Sequence, residues 1–207
     1  MKKILITMLL LQVAAASVVR AAEAGTANPL VWCGLDYSKV KMIGTMDFRQ
    51  PAQIFPGMLA TWNGLFITEM LPQLEKMTAS VRTDMEAVRQ KNDKTTASQI
   101  VYKDGSTDEM VTQSHITESD IAGMVKSYKL ENKAGLGLVF VMDRLVKAQE
   151  MECLYVVFFD VASRKVVHSE RVTAKAGGFG FRNYWFRPVK DAVKELPRMH
   201  QTAKSKM

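Results

Sequence analysis

The chain has 207 residues, of which 47% are hydrophobic and 24% charged, with a net charge of +7 at neutral pH. Once an export leader is set aside, that is one domain's length, enough to bury a real core. Much of the positive excess falls in the final RMHQTAKSKM, so it reads as a solvated tail rather than a nucleic-acid footprint.

The chain opens MKKILITMLLLQVAAASVVRAAEAG. Lys2 and Lys3 form a basic head, the run from Ile4 to Val19 is broken only by Thr7, Gln12 and Ser17, and Ala22 and Ala24 supply small residues for cleavage. That order predicts a signal peptide over residues 1–24 and a periplasmic or secreted protein. No cysteine follows the apolar run, so lipidation is not expected, and no later segment is apolar enough to span a membrane. Residues 25–196 then form a single domain, and residues 197–207 a basic flexible tail.

In chain order, LVWCGLDYSKVKMIG predicts an opening strand between Pro29 and Gly44, and RQPAQ a loop. Pro56 suits a first helical turn. Met58, Leu59, Trp62, Leu65, Phe66 and Met70 continue from it as one apolar stripe, which Pro72 should bend or end. Leu74, Met77, Val81, Met85 and Val88 predict a second helix, with Lys76, Arg82, Glu86 and Arg89 on its opposite face. KNDKTTAS is a polar loop, SQIVYKD a short strand and DGSTDE a turn, so residues 76–117 read as an insertion decorating the sheet.

Thr117 followed by Asp120 marks a helix start, and Ile121, Met124, Val125 and Tyr128 give that helix an apolar face. Three strands follow, in GLGLVFVMDRLV, LYVVFFDV and KVVHSERV, the last two forming a hairpin around ASRK. Trp185, Val189, Ala192, Val193 and Leu196 mark a closing helix, and Pro188 places its start near Phe186 or Arg187. About five strands and four helices in this order predict an α/β or α+β fold, a single mixed sheet with helices packed on it.

KAGGFGFRNYW, at residues 175–185, is the most conspicuous stretch. Gly177, Gly178 and Gly180 match neither the phosphate-binding loop, because no Lys-Ser/Thr follows, nor the dinucleotide fingerprint, because no strand comes after. Two readings stand. The glycines, Arg182 and Asn183 form a nest for an anion or a partner. Alternatively, glycine makes a sharp turn over which Phe179, Phe181, Tyr184 and Trp185 pack.

His115, His168 and His200 have no metal-ligand spacing, so no metal or other cofactor is expected. His168 and Glu170 share a strand face expected to be solvated. Asp36, Asp47, Asp143 and Asp160 each fall at or near a strand end, and nothing selects two as a catalytic pair. Asp160 fits a turn. Cys33 and Cys153 either close a long disulfide loop or stay as buried thiols.

From ITESDIAGMVKSYKL onward, the helix, GLGLVFVMD and the hairpin LYVVFFDVASRKVVHSERV resemble exported envelope domains. These are the periplasmic domain of the curli secretion channel and the lipoprotein activators of penicillin-binding proteins. The KAGGFGFRNYW segment after such a hairpin is also similar to uncharacterised secreted proteins of Bacteroidetes-type bacteria. The resemblance implies an anticodon-binding-domain-like layer and a non-catalytic binding or assembly role toward an envelope protein or polymer. The alternative is a small anion-binding protein or enzyme using residues 177–182. Self-association through residues 76–117 is a further expectation.

Overall fold

The longest apolar run, LGLVFVMDRLV, is β5 (Leu136–Val146), and every residue in it except Arg144 is buried. It forms the centre of the sheet in the computed structural model, which describes residues 28–44, 48–102 and 112–207. The expected leader at residues 1–24, and Asp47, lie outside the described residues.

Along one edge of β5 run β1 (Leu30–Asp36) and β2 (Lys41–Ile43), end to end and both parallel to it. Outside β1 lies β3 (Val81–Thr83) and outside β2 lies β4 (Ile100–Val101), again parallel. Along the other edge β6 (Met151–Asp160) and β7 (Val166–Lys175) continue as antiparallel strands. The sheet therefore counts seven strands in five ranks, a mixed α/β arrangement as expected. The opening strand is split because the chain turns after Asp36, where Val40 donates to the Tyr37 carbonyl and Ser38 donates to the Asp36 carboxylate.

Strand alternation divides the core in two. One face, with Trp32, Leu138, Phe140, Leu154, Val156 and Phe158, lies under α2 (Gly57–Leu65), α3 (Leu71–Met77) and α6 (Gly180–Lys204). A short α1 (Pro51–Ile54) precedes α2 within the expected loop. The other face, with Val31, Val139, Val141, Val157 and Phe159, lies under α4 (Glu86–Asn92) and α5 (Glu118–Lys126). Cys33 on β1 and Cys153 on β6 are both buried, and β5 runs between their strands. Two strand spacings are roughly 10 Å, beyond the reach of a disulfide, so the two residues remain thiols.

Several expectations are corrected. The periodic run from Leu74 to Val88 is not one helix: α3 ends at Met77, β3 pairs with β1, and only then does α4 begin. Leu30 also donates to the Ser80 carbonyl, so pairing with a buried strand outweighs the local helical period. Within the described part of residues 76–117, β3 and β4 pair into the sheet and α4 covers it. Pro72, expected to bend or end the helix, does not end the helical run. Phe66–Met70 widens into a π turn, and Pro72 falls in the first turn of α3, where its missing N–H costs nothing.

The closing helix starts at Gly180, earlier than expected, and runs to Lys204. The expected flexible tail is largely helix, with Met199, His200 and Ala203 buried. Among the described residues no helix is long and apolar enough to cross a membrane.

Candidate functional site

Residues 176–179 carry the chain from the end of β7 into α6, and the key bond there belongs to Gly177. Pro188 lies inside α6 and has no N–H to give the carbonyl four residues back. That carbonyl, on Tyr184, instead accepts from the Gly177 N–H at 3.0 Å. A Cβ on Gly177 would come within 2.9 Å of Arg187 Nη1, the far end of a flexible and largely exposed side chain that can move aside. Gly178 and Gly180 have φ of +115° and +77°, backbone that other residues adopt only with strain.

Three of the four aromatics pack as expected. Phe181 stacks on Trp62 at 5.8 Å and meets Phe48 edge-on at 6.1 Å, and Trp185 stacks on Phe48 at 5.7 Å. Tyr184 lies edge-on to Trp185, with Lys147 Nζ 4.2 Å from its ring centre. The Trp62 indole N–H donates to the Arg182 carbonyl at 2.9 Å, tying the first turn of α6 to α2. Phe179 is the exception: it is 97% exposed, held out between the two positive-φ glycines.

Of the proposed anion donors, Gly177 is thus committed to Tyr184. Asn183 Nδ2 donates to the Phe179 carbonyl, and Arg182 Nε donates to Asn183 Oδ1 at 3.3 Å. What remains is a pre-formed turn bearing an aromatic ring and an exposed guanidinium. Compared with known proteins, the chain matches no family model and no curated protein.

A second cluster escaped the sequence reading. Asp143, fully buried on β5, accepts from Arg171 Nε at 3.1 Å and Nη2 at 3.0 Å, and its other oxygen lies 2.8 Å from His115 Nδ1. His115 Nε2 is 2.8 Å from the Lys39 carbonyl. Burial alone would raise the Asp143 pKa, but the hydrogen bonds and charges of His115 and Arg171 outweigh it and hold the carboxyl below its usual range. Both oxygens are engaged, so the group clamps the β1–β2 turn and the segment before α5 to the sheet. An Asp and an Arg inside apolar strands were visible in the sequence; that they meet across β6, with His115, was not.

The other singled-out groups are also structural. Asp36 accepts the Tyr128 hydroxyl at 2.6 Å, and Asp160 caps its turn through Ser163 as expected. His168 is not on a solvated face. Its side chain is stacked against Phe158 beneath α6, and the neighbouring Glu170 takes a bidentate contact from Arg198 on that helix. His168 and His200 both lie against Phe158, and among the described residues no group of three or more His, Cys, Asp or Glu is placed to hold a metal ion.

Proposed function

We propose that the chain is an exported, non-catalytic binding or assembly module of the cell envelope that meets its partner through the turn at residues 177–183. The observation that carries this reading is Phe179, 97% exposed at the tip of that turn. Leaving a large apolar side chain in water forgoes about 1.5–3 kcal/mol of burial, which a partner can supply. The Gly177 and Trp62 hydrogen bonds hold the tip in place, so little ordering entropy is lost on contact.

The leader in the sequence supports export, and the engagement of Asp36 and Asp143 in folding contacts favours binding over catalysis. The anion-binding alternative is weakened because the Gly177 N–H is already used. The test is retention of the purified protein on envelope fractions. Phe179→Ala should lose retention while keeping the wild-type melting temperature, since the ring touches nothing that stabilises the fold. Retention equal to wild type would refute the reading.

A further inference from the structure

We infer that the partner met by Phe179 is an anionic lipid surface, with Phe179 entering the interface and Arg182, Arg187 and Lys147 facing the headgroups. This rests on the reading of residues 177–183 as the contact site and names the chemistry of what they contact.

Charge is the first argument. Between Glu170 and Asp191 the chain carries Arg171, Lys175, Arg182, Arg187 and Lys190 and no acidic residue. Arg171 is turned to the opposite sheet face, where it holds Asp143. The others belong to the end of β7 and the first turns of α6, around the Phe179 tip. Lys175 and Lys190 reach carboxylates, on Glu150 and Glu69 respectively. Arg187 comes only within 4.0 Å of Asp191 and stays largely exposed. Arg182 meets no carboxylate among the described residues, its one side-chain bond going to Asn183. Lys147, above the Tyr184 ring, borders the same shallow recess as Gly180 and Phe181.

The second argument is the shape of the apolar element. Among the described residues the exposed large hydrophobics are Tyr102, Phe179 and Met207, so Phe179 projects singly and not from an apolar patch. A protein–protein contact draws its energy from an anchor surrounded by other contacts that exclude water. A lone ring on a rigid stem, with cations set behind it, instead suits a bilayer interface. There the ring enters the acyl boundary and the cations stay at headgroup level.

The test is co-sedimentation with phosphatidylcholine vesicles, with and without phosphatidylglycerol, using full-length protein and variants that share one N-terminus so that any leader contribution cancels. Binding should require phosphatidylglycerol and weaken as salt is raised. Phe179→Ala should weaken it roughly tenfold or more, and Arg182→Gln about fivefold. Phe179→Trp should show a blue-shifted emission on mixing with the anionic vesicles, above the constant signal of the buried Trp32, Trp62 and Trp185. Binding that is equal with and without phosphatidylglycerol, or unchanged by Phe179→Ala, overturns the inference. If envelope fractions retain the protein through Phe179 but protein-free vesicles do not, the partner is a protein or polymer. The lipid inference then fails while the binding-module reading stands.

Discussion

Glu152 is the residue whose placement costs the fold most visibly. It sits on β6 between Leu145 and Ala174, 1% exposed, and makes no hydrogen bond or ion pair among the described residues. Burial pushes its pKa well above the ordinary carboxyl value, so the folded state holds the neutral acid. Because the folded pKa exceeds the unfolded one, stability is greatest below the ordinary carboxyl range and declines as pH rises toward the folded value. Glu152→Gln removes the proton dependence at nearly constant volume. It should raise the melting temperature at neutral pH, with the gain shrinking to nothing near pH 4. Thermal melts of both proteins across pH check this; a gain independent of pH would mean that Glu152 is not held neutral. Asp143, also buried, has the opposite sign because Arg171 and His115 face it, and its contribution is lost as pH falls. Nothing in the local sequence separates these two strand carboxylates; only their cross-sheet neighbours do.

At the scale of elements, local signals served well where the chain satisfies itself locally. Thr117 and Asp120 form the expected capping box, with the Asp120 N–H donating to the Thr117 hydroxyl and the Thr117 N–H to the Asp120 carboxylate. Thr117→Ala should therefore cost about 1 kcal/mol, read as a lower denaturation midpoint, while Thr117→Ser should recover most of it. An unchanged midpoint for Thr117→Ala would show that the cap contributes nothing. The two helical prolines are accommodated differently, one by the turn beside it and the other from outside its helix. Pro72 is absorbed by the π turn ahead of it. Pro188 is accommodated because Gly177, eleven residues earlier, supplies the hydrogen bond the ring cannot. Part of the glycine stretch thus completes a helix containing proline.

Across the whole molecule, the last helix closes one face of the sheet. Met199 and Ala203 are fully buried in the same cluster as Trp185, Val189 and Leu196, and His200 lies against Phe158. Burial and a neighbouring Lys204 both keep the His200 pKa below its usual value. Ending the chain before Pro197 should therefore lower stability by at least about 2–5 kcal/mol, the usual cost of emptying one large buried site. Circular-dichroism melts compare the truncated and full chains; equal melting temperatures would mean that the segment is a solvated tail after all. RMHQTAKSKM has the composition of a solvated tail because it is polar and charged, and only three of its positions are buried.

The sequence by itself determined the α/β class, the β6–β7 hairpin, the α5 cap and the apolar faces of α2, α5 and α6. In each the information lies within one turn or one strand, where spacing and side-chain type suffice. Tertiary structure alone decided that β3 belongs to the sheet, that Cys33 and Cys153 lie too far apart to pair, and that Asp143 meets Arg171 and His115. It also decided that Phe179, alone among the four aromatics of its segment, points into solvent. These depend on which strands become neighbours and where the α6 axis falls, contacts across many residues that a local pattern does not encode.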